Sequence, residues 1–87
     1  MSAQNPQALS KALREAASQQ GIDLTKPASA FLVCREDPQG GWFITPVADY
    51  MKAEELARQR PLDVYVLPVD TRHGLMKFIG NKLESIK

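Results

Sequence analysis

The chain is poor in the residues that most chemistry and much scaffolding require. It carries one cysteine and one histidine in 87 residues. A single thiol, Cys34, excludes an intrachain disulfide framework and a multi-cysteine zinc site. It lies inside the apolar run Phe31 to Cys34, which fits a reducing compartment. The expectation is a cytoplasmic protein, and a phage product acting inside a bacterial cell would read the same way. No apolar run approaches the about 20 residues that span a bilayer, so no membrane partner is expected. The opening segment, Met1 to Pro6, has neither the basic nor the apolar region of a signal peptide. An excess of one charge is missing too. Eleven Lys and Arg against 10 Asp and Glu leave +1, which gives no electrostatic drive toward a phosphate backbone.

What is present is ordinary for a globular protein: 44% hydrophobic and 24% charged residues. The length predicts a single small domain over residues 1–87, burying about 60 to 65% of its unfolded surface. The clearest local signal is residues 30–45. Phe31 to Cys34 and Trp42 to Ile44 are apolar, β-favouring runs. The intervening Glu36 to Gly41 contains Asp37-Pro38 and Gly40-Gly41, which permit a tight reversal. The pattern predicts a β-hairpin.

Three helices are predicted around it. The first runs from Pro6 to Gln20, with Asn5 as N-cap, an apolar stripe of Leu9, Leu13 and alanines, and Gly21 as the C-terminal glycine. Ile22 then folds back onto Ala17. The second starts at Thr45-Pro46 or at a cap on Asp49 and extends to about Arg60, where Pro61 stops it. The third runs from Asp70 or Thr71 to the C-terminus, because Leu75, Met76, Ile79, Leu83 and Ile86 fall on one side of a helical wheel. Gly74 and Gly80 weaken that helix. Between the second and third lies a strand, Leu62 to Val69. It is apolar without alternation, and Pro68 limits its ladder.

The expected fold is α/β (α+β): a two-layer sandwich of order α-β-β-α-β-α. Its three-stranded antiparallel sheet has the order 2-1-3, with the helices on one face. The core is expected to hold Phe31, Val33, Ile44, Val64, Val66, Leu75, Ile79 and Leu83.

Chemistry finds little support. Cys34 and His73 are the sole thiol and imidazole, yet Cys34 belongs to an apolar strand, where it acts as a small hydrophobe. No HxxxH, CxxC, EF-hand, P-loop or dinucleotide spacing occurs, so no cofactor and no metal are expected. Asp70 to Gly74 reads as a helix cap rather than an anion site. No enzymatic activity is expected.

Two binding readings remain. The apolar strands exceed what three short helices cover, so another protein or a second copy of the chain, making a homodimer, is expected to cover part of the sheet. Arg35, Trp42, Phe43 and Tyr65 are the residues expected at that contact. On this reading the chain is a small non-catalytic adaptor, regulator or inhibitor, of bacterial or phage origin. The alternative is a nucleic-acid-binding domain that uses Arg72, Lys77 and Lys82 of a basic C-terminal helix with the hairpin aromatics.

Overall fold

The computed structural model describes residues 5–70 and 74–86. Helix α1 (Pro6–Gln19) begins as its sequence dictates. The Asn5 side chain accepts from the Gln7 N–H at 2.7 Å, and Pro6 takes the first turn. Its end is a Schellman motif. The Ile22 N–H reaches the Ala17 carbonyl and the Gly21 N–H that of Ser18, both at 3.0 Å, and Gly21 has φ of +82°. A loop containing one 3-10 turn, Pro27–Ser29, leads into the sheet.

Strands β1 (Phe31–Glu36) and β2 (Trp42–Val47) form the expected hairpin. The Asp37 N–H bonds the Gly41 carbonyl at 3.0 Å, and the Gly40 N–H bonds that of Asp37 at 2.8 Å. This is a three-residue loop whose last residue, Gly40, has φ of +103°. Helix α2 (Tyr50–Arg58) follows. Of the two expected starts, Asp49 is the cap and accepts from the Lys52 N–H at 2.7 Å. Thr45 and Pro46 stay in β2. Strand β3 (Val64–Pro68) pairs antiparallel with β1, Val33 opposite Val66.

The C-terminal segment departs from expectation. Among the described residues there is no third helix. Residues 76–85 form a second hairpin, β4 (Met76–Ile79) and β5 (Lys82–Ser85). Gly80 and Asn81 make its two-residue turn, with Gly80 at φ +69° in the first central position, which glycine occupies without strain. On a helix, Gly74 and Gly80 would each cost about 1 kcal/mol relative to alanine. On strands, alternation places Met76, Phe78 and Leu83 inward and leaves Ile79 at the turn, 53% exposed. Ile79 is thus not core. Val33, Val64, Val66, Leu75 and Leu83 are buried as expected, and Phe31 and Ile44 are half-buried.

The sheet therefore has five strands rather than three, antiparallel throughout, in the order β2-β1-β3-β4-β5. The expected 2-1-3 arrangement survives inside it. The helices lie on opposite faces, so the structure has three layers rather than two. Leu9, Leu13 and Ala17 of α1 pack with Leu32, Cys34 and Leu67, while Ala53 and Ala57 of α2 pack with Val33, Val66 and Phe78. Residues 32 and 33 point to opposite sides of β1, as do 66 and 67 of β3. This explains why the strands are apolar without alternation: the chain's own helices cover both faces. The inference that a second protein must cover the sheet loses its basis.

Both prolines of the sheet sit where a missing N–H costs nothing. The Asp37–Gly41 bond makes Arg35–Phe43, Val33–Thr45 and Phe31–Val47 the hydrogen-bonded pairs of the hairpin. Pro46 then directs its nitrogen outward from edge strand β2. Pro68 lies beyond the last β3–β4 pair, Val66 with Met76.

Candidate functional site

The hairpin register sorts the four residues expected at a protein contact onto two faces. Arg35 and Phe43 are directly opposite one another on the α2 side. The Arg35 guanidinium lies over the Phe43 ring, 4.8 Å from its centroid. Trp42 and Tyr65 are on the α1 side. They meet edge to face with centroids 6.1 Å apart and are half-buried against the α1 cluster. Trp42 and Tyr65 thus pack with the core, and of the four only Phe43 is exposed, with Arg35 half-buried beside it.

Around that pair the structure builds a groove of about 330 Å³ between β2 and the end of α2. Its apolar lining is Val33, Phe43, Leu56 and Val64, and Arg35 and Arg60 provide its charge. Phe43 is 49% exposed. Among the described residues Arg35 has no carboxylate partner, whereas Arg60 bridges Asp63 at 3.2 Å with both side chains well exposed. Beyond Arg60, Leu62 stands 84% exposed. Leu56, Arg60 and Leu62 were not singled out from sequence. Helical spacing puts Leu56 on the apolar face of α2, and no local pattern shows that a loop before β3 returns to the hairpin.

A second depression, of about 610 Å³, lies at the hairpin tip. Arg35, Arg60 and Lys77 line it together with Glu36, Asp37 and Asp63. Charges of both signs in equal number give it no preference for an ion of either sign. Lys77 is also occupied. Its Nζ donates to the Leu62 carbonyl at 2.8 Å and lies 4.6 Å from the Tyr65 ring centroid.

The residues expected for nucleic acid do not make a basic helix. Lys77 is on β4 and Lys82 on β5, with Glu84 directly opposite Lys77. Arg72 lies outside the described residues, as does His73. The expected cap at Asp70 to Gly74 has no helix to serve, because β4 follows at Met76, and residues 71–73 are not described.

Cys34 is wholly buried, and its thiol donates to the Leu32 carbonyl at 3.6 Å. Burial pushes the thiol from its ordinary value of 9.0 up to about 12, so it stays protonated at neutral pH. Among the described residues no three His, Cys, Asp or Glu side chains gather as a metal site. None of the described helices is long and apolar enough to cross a membrane.

The strand edges bear on how a partner would approach. The outward backbone of β2 belongs to Trp42, Ile44 and Pro46. Pro46 offers no N–H, and the Trp42 carbonyl already accepts from Gln20 Nε2 at 2.6 Å. Only Ile44 presents both groups unspent. Strand β5, at the other edge, is four residues long and carries Lys82 and Glu84. Both edges have the features that discourage strand addition. No family model, curated protein or solved structure matches the chain.

Proposed function

We propose that the protein is a small non-catalytic binding module, an adaptor, regulator or inhibitor, whose partner is another protein docking on the Arg35–Phe43 groove. The observation that carries this reading is the pair itself. A half-exposed aromatic ring is held on a hydrogen-bonded strand, under a guanidinium that has no carboxylate partner among the described residues. Arg and aromatic side chains are the types enriched at binding hot spots, and a position fixed by a β-ladder loses little freedom on binding. The groove is at the lower end of ligand-pocket sizes, which suits one inserted side chain rather than a shielded reaction. The inert Cys34 thiol favours the same reading. With the apolar centre of each sheet face under a helix and both edges blunted, the side chains of the groove are the contact that this reading favours.

Photo-crosslinking tests it. Benzoylphenylalanine at position 43, in cells that make the protein, is expected to capture a protein partner, and Arg35→Ala is expected to remove the adduct. The same probe at position 79, on the opposite edge of the molecule, is expected to capture nothing in common with it. Adducts absent at 43 and present at 79 would reject the groove as the contact.

A further inference from the structure

Resting on the binding reading above, we infer that the groove takes a protein segment presenting a carboxylate beside a large apolar side chain. The apolar group enters between Phe43 and Leu56, and the carboxylate meets Arg35 and Arg60. Charge complementarity carries this choice. Two guanidiniums line the groove and no Asp or Glu does. The neighbouring depression, which shares both arginines, holds three carboxylates and is neutralised by them.

Arg35 is the better anchor of the two. Its guanidinium lies over the Phe43 ring, 4.8 Å from the centroid, and its N–H groups have no acceptor among the described residues. A guanidinium so held donates two parallel bonds to a carboxylate with little further ordering. Arg60 is engaged with Asp63 only at the surface, where an ion pair exchanges readily for another. A phosphate would suit the same donors, but a nucleic acid needs a longer basic track. Lys77 adjoins only the neighbouring depression, where its Nζ is bonded to the Leu62 carbonyl, and neither Lys77 nor Lys82 lines this groove. The apolar floor of Val33, Leu56 and Val64 also suits an aliphatic or aromatic side chain better than a sugar-phosphate chain.

The test is selection of short random peptides displayed on phage against the full chain, with Phe43→Ser as the counter-selection. Enriched peptides are then made with a fluorescent label and measured by anisotropy. The expected result is enrichment of sequences in which Asp or Glu adjoins Leu, Ile or Phe. Arg35→Ala should weaken them about tenfold, with partial recovery in Arg35→Lys, as removal of a charge-assisted pair predicts. Changing the peptide's Asp to Asn should weaken binding to a similar degree. Peptides that depend on Phe43 yet lack acidic residues and ignore Arg35→Ala would overturn the carboxylate assignment while leaving the binding reading in place. No enrichment over Phe43→Ser would overturn both. Displacement of the peptide by single-stranded oligothymidine at equal concentration would reassign the guanidiniums to nucleic acid.

Discussion

The guanidinium of Arg35 lies over the ring of Phe43, 4.8 Å from its centroid, and the two residues face each other across the β1–β2 ladder. Both project to the α2 side, beyond the region that α2 covers. The pair is thus placed by register: moving either strand by one residue would turn it into the opposite cluster. The neighbouring core residues of β1 hold that register, while the Phe43 ring itself is half-exposed, which bears on what its removal should do.

Phe43→Ser should change stability by no more than about 1 kcal/mol, because the ring is half-exposed and an exposed cation–π contact is worth about that or less. Binding of the partner segment should be lost. Urea denaturation and peptide anisotropy on one preparation separate the two. A loss of several kcal/mol would mean that Phe43 is structural.

Gly80→Ala distinguishes a hairpin from a helix at the C-terminus by its sign. At φ +69° an alanine is strained, and the substitution should destabilise by about 1 kcal/mol. Within a helix the same change would stabilise by a similar amount. The urea midpoint reads the sign directly.

The C-terminal segment also marks where sequence pattern ran out. Asn5, Pro6 and Gly21 delimit α1, and Asp37 to Gly41 delimit the first hairpin, because caps and turns act on their immediate neighbours. Residues 75–86 carry apolar side chains at spacings that satisfy both periods. The helical stripe is the longer pattern, and on it Gly80 reads as a weak point of a helix rather than as part of a turn. Phe78 was the discordant residue: it falls off the helical stripe yet belongs to the strand-facing core. Covering by both helices was illegible for another reason. Nothing local in α1 or α2 says which face of the sheet each will take. The candidate groove was half legible, since Arg35 and Phe43 come from one hairpin, while Arg60 and Leu56 reach it only through the tertiary fold.

Arg14 ties α1 to the end of β3. Its Nη1 donates to the Val69 carbonyl at 3.1 Å and its Nη2 to that of Pro68 at 3.2 Å. Arg14→Ala should cost about 1 to 2 kcal/mol, reduced from the full value of such bonds by partial exposure. Hydrogen exchange should show faster opening of the α1 amides than in the unsubstituted protein. Unchanged exchange and stability would mean that the clamp contributes nothing.

Cys34 should resist thiol reagents in the folded protein and react only at the rate of opening. Its pH linkage has a definite sign. With the folded thiol raised from 9.0 to about 12, the native state holds its proton where the unfolded state has released it. This contribution to stability is intact below pH 9.0 and falls away as pH rises toward about 12. Cys34→Ser removes the thiol, and the difference in stability between the two proteins should shrink over that interval. A difference that stays constant with pH would contradict the burial.

The most direct measurement of the central claim is an amide chemical-shift titration of the isotope-labelled full chain with a selected acidic–apolar peptide. The groove account predicts saturable shifts centred on Val33, Arg35, Phe43, Leu56 and Arg60, with Lys82 and Glu84 unmoved. Shifts concentrated on β4 and β5 with the groove residues silent would contradict it.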